Sequence, residues 1–351
     1  MRKSFLVIIP VFVFLAASPF QCSEISSDGG IFKSLDQGEN WQQLTINDQV
    51  SLASLDISTI EVNPNDSNVL YAGTRNDGLY KSCCQGEHWY RLEDKNRALS
   101  NKANIYDIAI DPKDPNRIYL GTYQDKKGRV FRSQDGGESW EEVYLVSEEK
   151  YAVFAVEVDN YDSSIVYIGT AQGGFLRSAD YGKSWEIKKW FDDVVSDIVI
   201  NPKNTREVYV STFQEGIYKT TDKGDTWQSF EDVLKDFRQA RRVENLLIDS
   251  QRPNIVYAGS EYGLLATKNG GQTWQEVAIV MPPESKPVLS LAIESENTDN
   301  LYYGAGSILY RSLDQGKTWT VHELNSQRNV KTIAIDPKNP EVIYVGMQEE
   351  E

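Results

Sequence analysis

One eight-residue pattern recurs along the chain and limits the folds that it can adopt. Its frame is Ser/Thr-x-Asp-x-Gly-x-x-Trp, and the carboxylate can accept hydrogen bonds from the amides of its own turn while the glycine adopts a positive φ. We therefore interpret each copy as a tight turn between two β-strands, called a repeat turn below. Seven copies, two of them looser, are found at Ser34–Trp41, Ser82–Trp89, Ser133–Trp140, Ser178–Trp185, Thr220–Trp227, Thr267–Trp274 and Ser312–Trp319.

Each repeat turn belongs to a larger unit with the pattern of four strands. Apolar residues alternate before an Asp-Pro or Asn-Pro turn, as in Ile105–Pro112, and a second strand such as Val166-Tyr-Ile-Gly follows. A third strand leads into the repeat turn, and a fourth starts at its Trp. The third position of the turn recurs after 42 residues (Asp180 to Asp222) to 51 residues (Cys84 to Asp135). This period is typical of propeller blades.

The two ends of the repeat region are complementary half-units. Gly30–Leu44 has the pattern of the outer half of a unit, and Val330–Met347 has that of the inner half. Joined, they complete a seventh unit and leave no strand edge open. The sequence therefore predicts an all-β fold, a seven-bladed β-propeller closed by pairing of the N- and C-terminal half-blades, as a single domain over residues 24–351.

Charge and composition exclude several classes of function. The 351 residues include 36 basic and 52 acidic side chains, for a net charge of −16, which opposes binding to nucleic acid or to an anionic membrane surface. Adjacent Cys83 and Cys84 with only His88 and His322 do not make a tetrahedral set, so we expect no metal. We also expect no cofactor and a monomeric protein.

The N-terminus has the pattern of an export signal over residues 1–23. Arg2 and Lys3 precede the apolar run Phe5–Ala17, which is short for a membrane span and contains Pro10. Cys22 raises the alternative of a lipoprotein, although the residues before it are a poor match for the small-residue box of such signals. We expect a periplasmic or extracellular protein, or one at the cell envelope, with membrane attachment only if Cys22 is lipidated.

The repeat turn, the Asp-Pro turn and the Ile-Tyr-x-Gly strand together resemble those of the BNR or Asp-box propellers. That group includes sialidases, xyloglucan-cleaving endoglucanases, the luminal domains of sortilin-type receptors and photosystem II assembly factors. The resemblance covers nearly all of residues 24–351 and implies a fold rather than one function. It also implies that the turn aspartates are structural and lie away from the active face; these are Asp36, Asp135, Asp180, Asp222 and Asp314, with Asn269 in the equivalent position of the sixth turn along the chain.

Two repeat turns depart from the frame. Asn269 keeps a carbonyl acceptor, so that turn should survive. Cys84 replaces the aspartate with a weak acceptor, and the neighbouring Cys83 leaves two alternatives open, a strained vicinal disulfide or two unpaired thiols.

Functional residues should lie on the face opposite the repeat turns. In a four-stranded blade, the first-to-second and third-to-fourth turns share one face, while the second-to-third loops and the blade-to-blade connections share the other. Binding residues concentrate on loops that a rigid scaffold carries. The candidates on these loops and connections are Arg75, Tyr123, Asp125, Trp190, Phe213 and Tyr262.

Three aspartates are candidates for catalysis. Alignment of the first strands predicts a ring of small or polar residues near the mouth of the central channel, in which Asp107 and Asp197 are the carboxylates; the ring is Thr59, Asp107, Ala155, Asp197, Asn245, Ser290 and Thr332. Asp77 lies in Thr74-Arg-Asn-Asp-Gly, a stretch faintly similar to a catalytic loop of the xyloglucan-cleaving enzymes. A glycosidase needs two carboxyl groups roughly 5–10 Å apart across a cleft.

Several features favour binding over catalysis. The xyloglucan-cleaving enzymes resemble paired propellers with a cleft between them, and the repeats here make one ring. The sialidase arginine cluster is also missing from the sequence. We therefore expect an exported, non-catalytic binding or assembly module that recognises a protein or a glycan. The alternative is a glycoside hydrolase, xyloglucanase-like or sialidase-like, acting on extracellular polysaccharide.

Overall fold

The computed structural model describes residues 28–44, 52–237 and 239–350. The predicted export signal, with Cys22, lies outside these residues. No helix within the described ranges is long and apolar enough to cross a membrane.

Seven four-stranded antiparallel sheets, or blades, make up the described part of the chain. Blade 1 contains β3 (Ile57–Val62), β4 (Leu70–Thr74), β5 (Leu79–Ser82) and β6 (Trp89–Arg91). Blade 2 contains β7 (Asn104–Ile110), β8 (Ile118–Gln124), β9 (Lys127–Ser133) and β10 (Glu141–Leu145). Blade 3 contains β11 (Val153–Val158), β12 (Val166–Thr170), β13 (Gly174–Ser178) and β14 (Glu186–Trp190). Blades 4 and 5 contain β15 (Val195–Ile200), β16 (Val208–Thr212), β17 (Ile217–Thr220) and β18 (Gln228–Ser229); and β19 (Val243–Ile248), β20 (Val256–Ser260), β21 (Leu264–Thr267) and β22 (Gln275–Glu276). Blade 6 contains β23 (Ser290–Ile293), β24 (Leu301–Ala305), β25 (Ile308–Ser312) and β26 (Thr320–Glu323).

Blade 7 joins the two ends of the described chain. Its strands are β27 (Asn329–Ile335), β28 (Ile343–Gln348), β1 (Gly30–Ser34) and β2 (Gln42–Gln43). Strand β1 pairs with β28 over five residue pairs, from Gly30 opposite Met347 to Ser34 opposite Ile343. The innermost strands contact one another in sequence around the ring, and β27 contacts β3. The predicted seven-bladed propeller with half-blade closure is therefore confirmed. A 3₁₀ turn, Leu52–Ser54, and one short helix, α1 (Glu231–Leu234), lie in the connections.

The first five residues of the second strand are buried in every blade, because blades pack against both of its faces. Tyr71, Tyr119 and Tyr167 on these strands are each at most 1% exposed. The glycine later in this strand allows the next blade to approach closely. A Cβ on Gly169 would lie 2.4 Å from the Val195 side chain, and one on Gly346 would lie 2.5 Å from that of Ile57. Close packing therefore requires the glycine at these positions, whereas blade 4 has Ser211 in the equivalent place.

The repeat turns are held by the same pattern of hydrogen bonds, formed within each turn. In the clearest copy, the Ser312 hydroxyl donates to Asp314 Oδ1 at 2.8 Å and accepts from the Gly316 amide at 2.7 Å. Asp314 Oδ1 accepts from the Thr318 amide, and Oδ2 accepts from the Thr318 hydroxyl, at 2.8 and 2.7 Å. These bonds, led by that from the Thr318 amide, lower the pKa of Asp314 to about 2.

The turn at Cys84 keeps this geometry with sulfur as the acceptor. The Ser82 hydroxyl accepts from the Gly86 amide at 2.9 Å, and Cys84 Sγ accepts from the His88 amide at 3.2 Å. Cys83 and Cys84 are free thiols, and Cys83 is exposed. Of the two alternatives, the structure therefore has unpaired thiols.

Replacement of Asp314 by alanine tests whether these carboxylates are structural. Asp314→Ala leaves the Thr318 amide and hydroxyl without their acceptor, so we expect the melting temperature to fall by about 2–4 °C. Lys317→Ala is the matched control, because Lys317 is exposed in the same turn. Thermal unfolding followed by circular dichroism measures both variants, and equal melting temperatures would contradict a structural role.

Candidate functional site

A cavity of about 760 Å³ opens at the centre of the face opposite the repeat turns. Second-to-third loops contribute Arg75, Phe213 and Glu261 to its wall, and a blade connection contributes Pro287. We call this cavity the funnel, because it forms the mouth of the channel between the innermost strands. A smaller cavity of about 230 Å³ lies among Asn160, Pro202 and neighbouring residues at the opposite end of the channel. The sequence-predicted functional face therefore does carry the larger opening.

A β-bulge in the innermost strand shapes the funnel in six of the seven blades. The register between first and second strands shifts by one residue in each of these blades, for example between Ile105 and Asp107. The extra residue is left unpaired, so two successive side chains reach the same side of the strand. All six bulge residues line the funnel; they are Ser58, Tyr106, Phe154, Ser196, Glu244 and Lys331.

Three aromatic side chains form a continuous wall on one side of the funnel. The rings of Tyr106 and Phe154 meet edge to face with centroids 4.7 Å apart, and those of Phe154 and Phe213 with centroids 6.0 Å apart. They come from blades 2, 3 and 4. We call these three residues the aromatic arc. Partly exposed aromatic rings in a concave site provide apolar contact area for a ligand.

Asp107 and Asp197 lie one step deeper and bind backbone amides of the next blade. Asp107 accepts from the amide of Ile108 at 2.9 Å and from that of Val156, in blade 3, at 2.8 Å. Asp197 accepts from the amide of Ile198 at 2.8 Å and from that of Leu246, in blade 5, at 2.7 Å. Both oxygens of each carboxyl group are therefore engaged. These side chains connect neighbouring blades at the channel wall.

The surroundings nevertheless favour protonation of these two groups. Loss of hydration raises the pKa of Asp107 to about 6, against the lowering effect of the two amides. Loss of hydration is again the main cause at Asp197, whose pKa is raised to about 7, with a contribution from the charge of Asp107. The positive charge of Lys331 lowers the pKa of Asp197.

Two glutamates lie deeper still, on the same side of their strands. Glu61 and Glu157 follow the ring positions Thr59 and Ala155 by two residues, so their side chains also face the channel. Both lie below the funnel wall, and Glu157 lines the smaller cavity at the opposite end. Desolvation and the charge of Asp107 raise the pKa of Glu61 to about 8. The pKa of Glu157 is also raised well above its usual value, first by desolvation and then by the neighbouring carboxylates. The other residues at this level are apolar: Ala109, Val199, Leu247, Ala292 and Ala334.

The charged residues of the funnel wall are mostly acidic. Arg75 and Lys331 are its cations. Its carboxyl groups belong to Asp107, Asp197, Glu244, Glu261, Glu349 and Glu350. Two of the six pair with cations outside the wall, because Arg242 lies 2.6 Å from Glu261 and Lys286 lies 3.7 Å from Glu350. The funnel therefore carries an excess of acidic groups.

The structure brings together only some of the residues predicted from the sequence. Arg75, Asp107, Asp197 and Phe213 line the funnel. Asp77, Tyr123, Asp125, Trp190 and Tyr262 are absent from its wall. Asp77 accepts a hydrogen bond from Lys102 Nζ at 2.8 Å in the loop after β4.

The remaining candidates lie farther out on their blades or in loops. Tyr123 is near the end of β8, and Asp125 is exposed in the hairpin that follows. Trp190 ends the outermost strand of blade 3 and is 48% exposed. Tyr262 packs on Phe237 and donates to Glu276 at 2.8 Å.

Comparison with known proteins supports the fold. The family model described as sortilin, neurotensin receptor 3, matches residues 173–278. No curated protein sequence matches the chain significantly.

Solved structures resemble the chain at low sequence identity. A GH74 xyloglucanase from Xanthomonas campestris matches with a TM-score of 0.71 and 18% identity, over 88% of this chain and 52% of its own. YCF48 from Cyanidioschyzon merolae matches with a TM-score of 0.63 and 15% identity, over 84% and 96%. YCF48 bound to a D1 peptide matches with a TM-score of 0.62 and 15% identity, over 84% and 94%. The chain thus spans about half the length of the xyloglucanase. At these identities, the likeness shows the fold alone.

The chain is therefore a seven-bladed propeller that resembles the Asp-box group, with sortilin-type, GH74 and YCF48 propellers among its neighbours.

Proposed function

We propose that the protein is an exported, non-catalytic binding module that holds a protein or glycan ligand in the funnel. The observation that carries this proposal is the aromatic arc, in which Tyr106, Phe154 and Phe213 from three blades converge on one cavity. A few aromatic side chains commonly account for most of the binding energy at an interface. The ring of blades fixes the backbone beneath these side chains, so the site is formed before the ligand arrives.

The state of the channel aspartates also supports binding rather than catalysis. Each oxygen of Asp107 and Asp197 already accepts a backbone amide, which fixes both groups in the wall between blades. A general acid or a nucleophile must instead reach the substrate. The neighbouring structures include a xyloglucanase and YCF48 bound to a D1 peptide, so this fold accommodates both glycan and peptide ligands.

Removal of the central aromatic ring tests the proposal. A blocked peptide library and a glycan array first identify a retained ligand, and its affinity is then measured by fluorescence anisotropy. We expect Phe154→Ala to weaken binding by tenfold or more, because it removes the ring that contacts both Tyr106 and Phe213.

Trp190→Ala is the matched control, because Trp190 is an exposed aromatic residue away from the funnel. We expect this variant to bind normally. Normal binding by Phe154→Ala, with unchanged melting, would place the ligand elsewhere and contradict the proposal.

A second candidate function, glycoside hydrolysis, has one observation in its favour. Asp107 and Asp197 have pKa values raised to about 6 and about 7, a range that suits a general acid near neutral pH. The test is release of reducing ends from xyloglucan. Release that is lost in Asp197→Asn, with binding retained, would favour the enzyme over the binding module.

A further inference from the structure

The channel below the aromatic arc offers hydrogen-bond acceptors far more than donors. Asp107, Asp197, Glu61 and Glu157 occupy four consecutive blades along its wall. The side chains of Glu61 and Glu157 make no hydrogen bond or ion pair with any residue in the described ranges. The Asn245 Oδ1 atom, in the funnel wall, is also buried without a hydrogen-bond donor. Such a wall is suited to a group that only donates.

The cations of the funnel do not satisfy these acceptors. Arg75 belongs to the loop between β4 and β5, and Lys331 is a bulge residue, so both lie at the mouth. The level of Glu61 and Glu157 contains only alanine, valine and leucine besides the two glutamates. Burial first, and then the charges of neighbouring carboxylates such as Asp107, raise the pKa values of these glutamates, and the described part of the channel has no cation at their level.

From this arrangement, and resting on the proposed binding function, we infer that the funnel binds an extended peptide segment and receives one of its Lys or Arg side chains in the channel. Ammonium and guanidinium groups are donors without acceptors, and they would pair with the acidic wall. The aliphatic part of the same side chain would pass the aromatic arc, which also attracts cations through its ring faces. A bound cation would also stabilise the ionised form of Glu61 and Glu157, whose pKa values are raised in the free protein, so these groups would release protons on binding; a neutral sugar gives no such stabilisation.

A peptide library with blocked ends tests the inference on the full-length protein. The probe is a fluorescent positional-scanning heptapeptide library in which each position carries Lys, Arg, norleucine, Glu or a neutral polar residue. We expect Lys and Arg to be enriched at one position at least fivefold over norleucine, which has a similar aliphatic chain without the charge. The selected Lys peptide should also bind at least tenfold more weakly when norleucine replaces that Lys.

Protein variants then test whether Glu61 and Glu157 pair with the Lys side chain of the peptide. Glu61→Gln with Glu157→Gln should weaken binding of the Lys peptide at least fivefold and leave the norleucine peptide unaffected. Glu148→Gln with Glu149→Gln is the matched control, because both glutamates are exposed in the connection between β10 and β11 and the change in charge is the same. This control should bind both peptides as the unmodified protein does.

The outcomes separate the inference from the proposed function. Equal retention of Lys and norleucine peptides, or preference for Glu, would overturn the basic-ligand inference. If such peptides, or neutral oligosaccharides, still require Phe154, the binding function stands without the inference. Retention of no peptide and no glycan would overturn both.

Discussion

Ile31→Asp is expected to unfold the propeller. Ile31 lies in β1, is fully buried and packs in one cluster with Leu52, Ile57 and Tyr344. A carboxylate at this position has neither solvent nor a counter-ion, so we expect a loss of more than about 4 kcal/mol of folding free energy. Because β1 closes the ring, its loss also exposes the edge of β28, and the variant should aggregate.

Leu35→Asp is the matched control for this substitution. Leu35 follows the same strand by one residue and is 60% exposed, so the identical change in side chain should leave stability nearly unchanged. Thermal unfolding and size-exclusion chromatography measure the two variants. A folded, monomeric Ile31→Asp protein with the melting temperature of Leu35→Asp would contradict closure by β1. Deletion of residues 28–44 should reproduce the Ile31→Asp result.

The closure of the ring could be predicted because the positions of the strands can be assigned within each repeat separately. The repeat turn fixes where the third strand ends, and the Ile-Tyr-x-Gly pattern fixes the second strand, so a half-unit at each end is evident from the sequence alone. Only the structure shows why the second strands contain a glycine. At Gly169 and Gly346 the side chains of the next blade occupy the space that a Cβ would need.

The wall of the funnel was only partly predictable. Alternation along the first strand correctly directed Asp107 and Asp197 toward the channel. The same alternation would direct Tyr106 and Phe154 to the opposite side, into the packing between blades. A bulge reverses that assignment, and a bulge residue has no strong signature in a single sequence. The aromatic arc was therefore missed, apart from Phe213.

The partners of the channel carboxylates depend on distances that a sequence does not contain. Val156 and Leu246 donate their amides to Asp107 and Asp197 because neighbouring innermost strands converge at the channel. Glu61 and Glu157 were missed for a related reason. A polar residue at every second position is typical of a strand with one face in water, and here that face lines the channel instead.

The channel glutamates should make the protein less stable as the pH rises through neutrality. The pKa of Glu61 rises from its usual 4.5 to about 8 in the folded protein, so the folded state holds a proton that the unfolded chain releases above about pH 4.5. Stability is therefore highest where both states are protonated, falls between about pH 4.5 and 8, and is level above that range. The raised pKa values of Asp107 and Asp197 also make the protein less stable as the pH rises, from 3.8 to about 6 for Asp107 and from 3.8 to about 7 for Asp197.

The turn aspartates act in the opposite direction at lower pH. Hydrogen bonds lower the pKa of Asp180, Asp222 and Asp314 to about 2, so each stabilises the fold above its unfolded value of 3.8, and this contribution is lost as the pH falls toward 2. The two effects together predict a maximum of stability between about pH 4 and 6.

Glu61→Gln isolates the channel contribution. A neutral amide has no charge to desolvate, so the variant should be more stable than the unmodified protein by about 1–3 kcal/mol at pH 8.5 and no more stable at pH 4.5. Glu148→Gln, at an exposed site, should change stability at neither pH. Chemical denaturation at the two pH values measures the difference. A Glu61→Gln protein that gains nothing at pH 8.5 would show that Glu61 is hydrated and charged in the folded protein. An equal gain at both pH values would show that the gain does not come from the titration of Glu61.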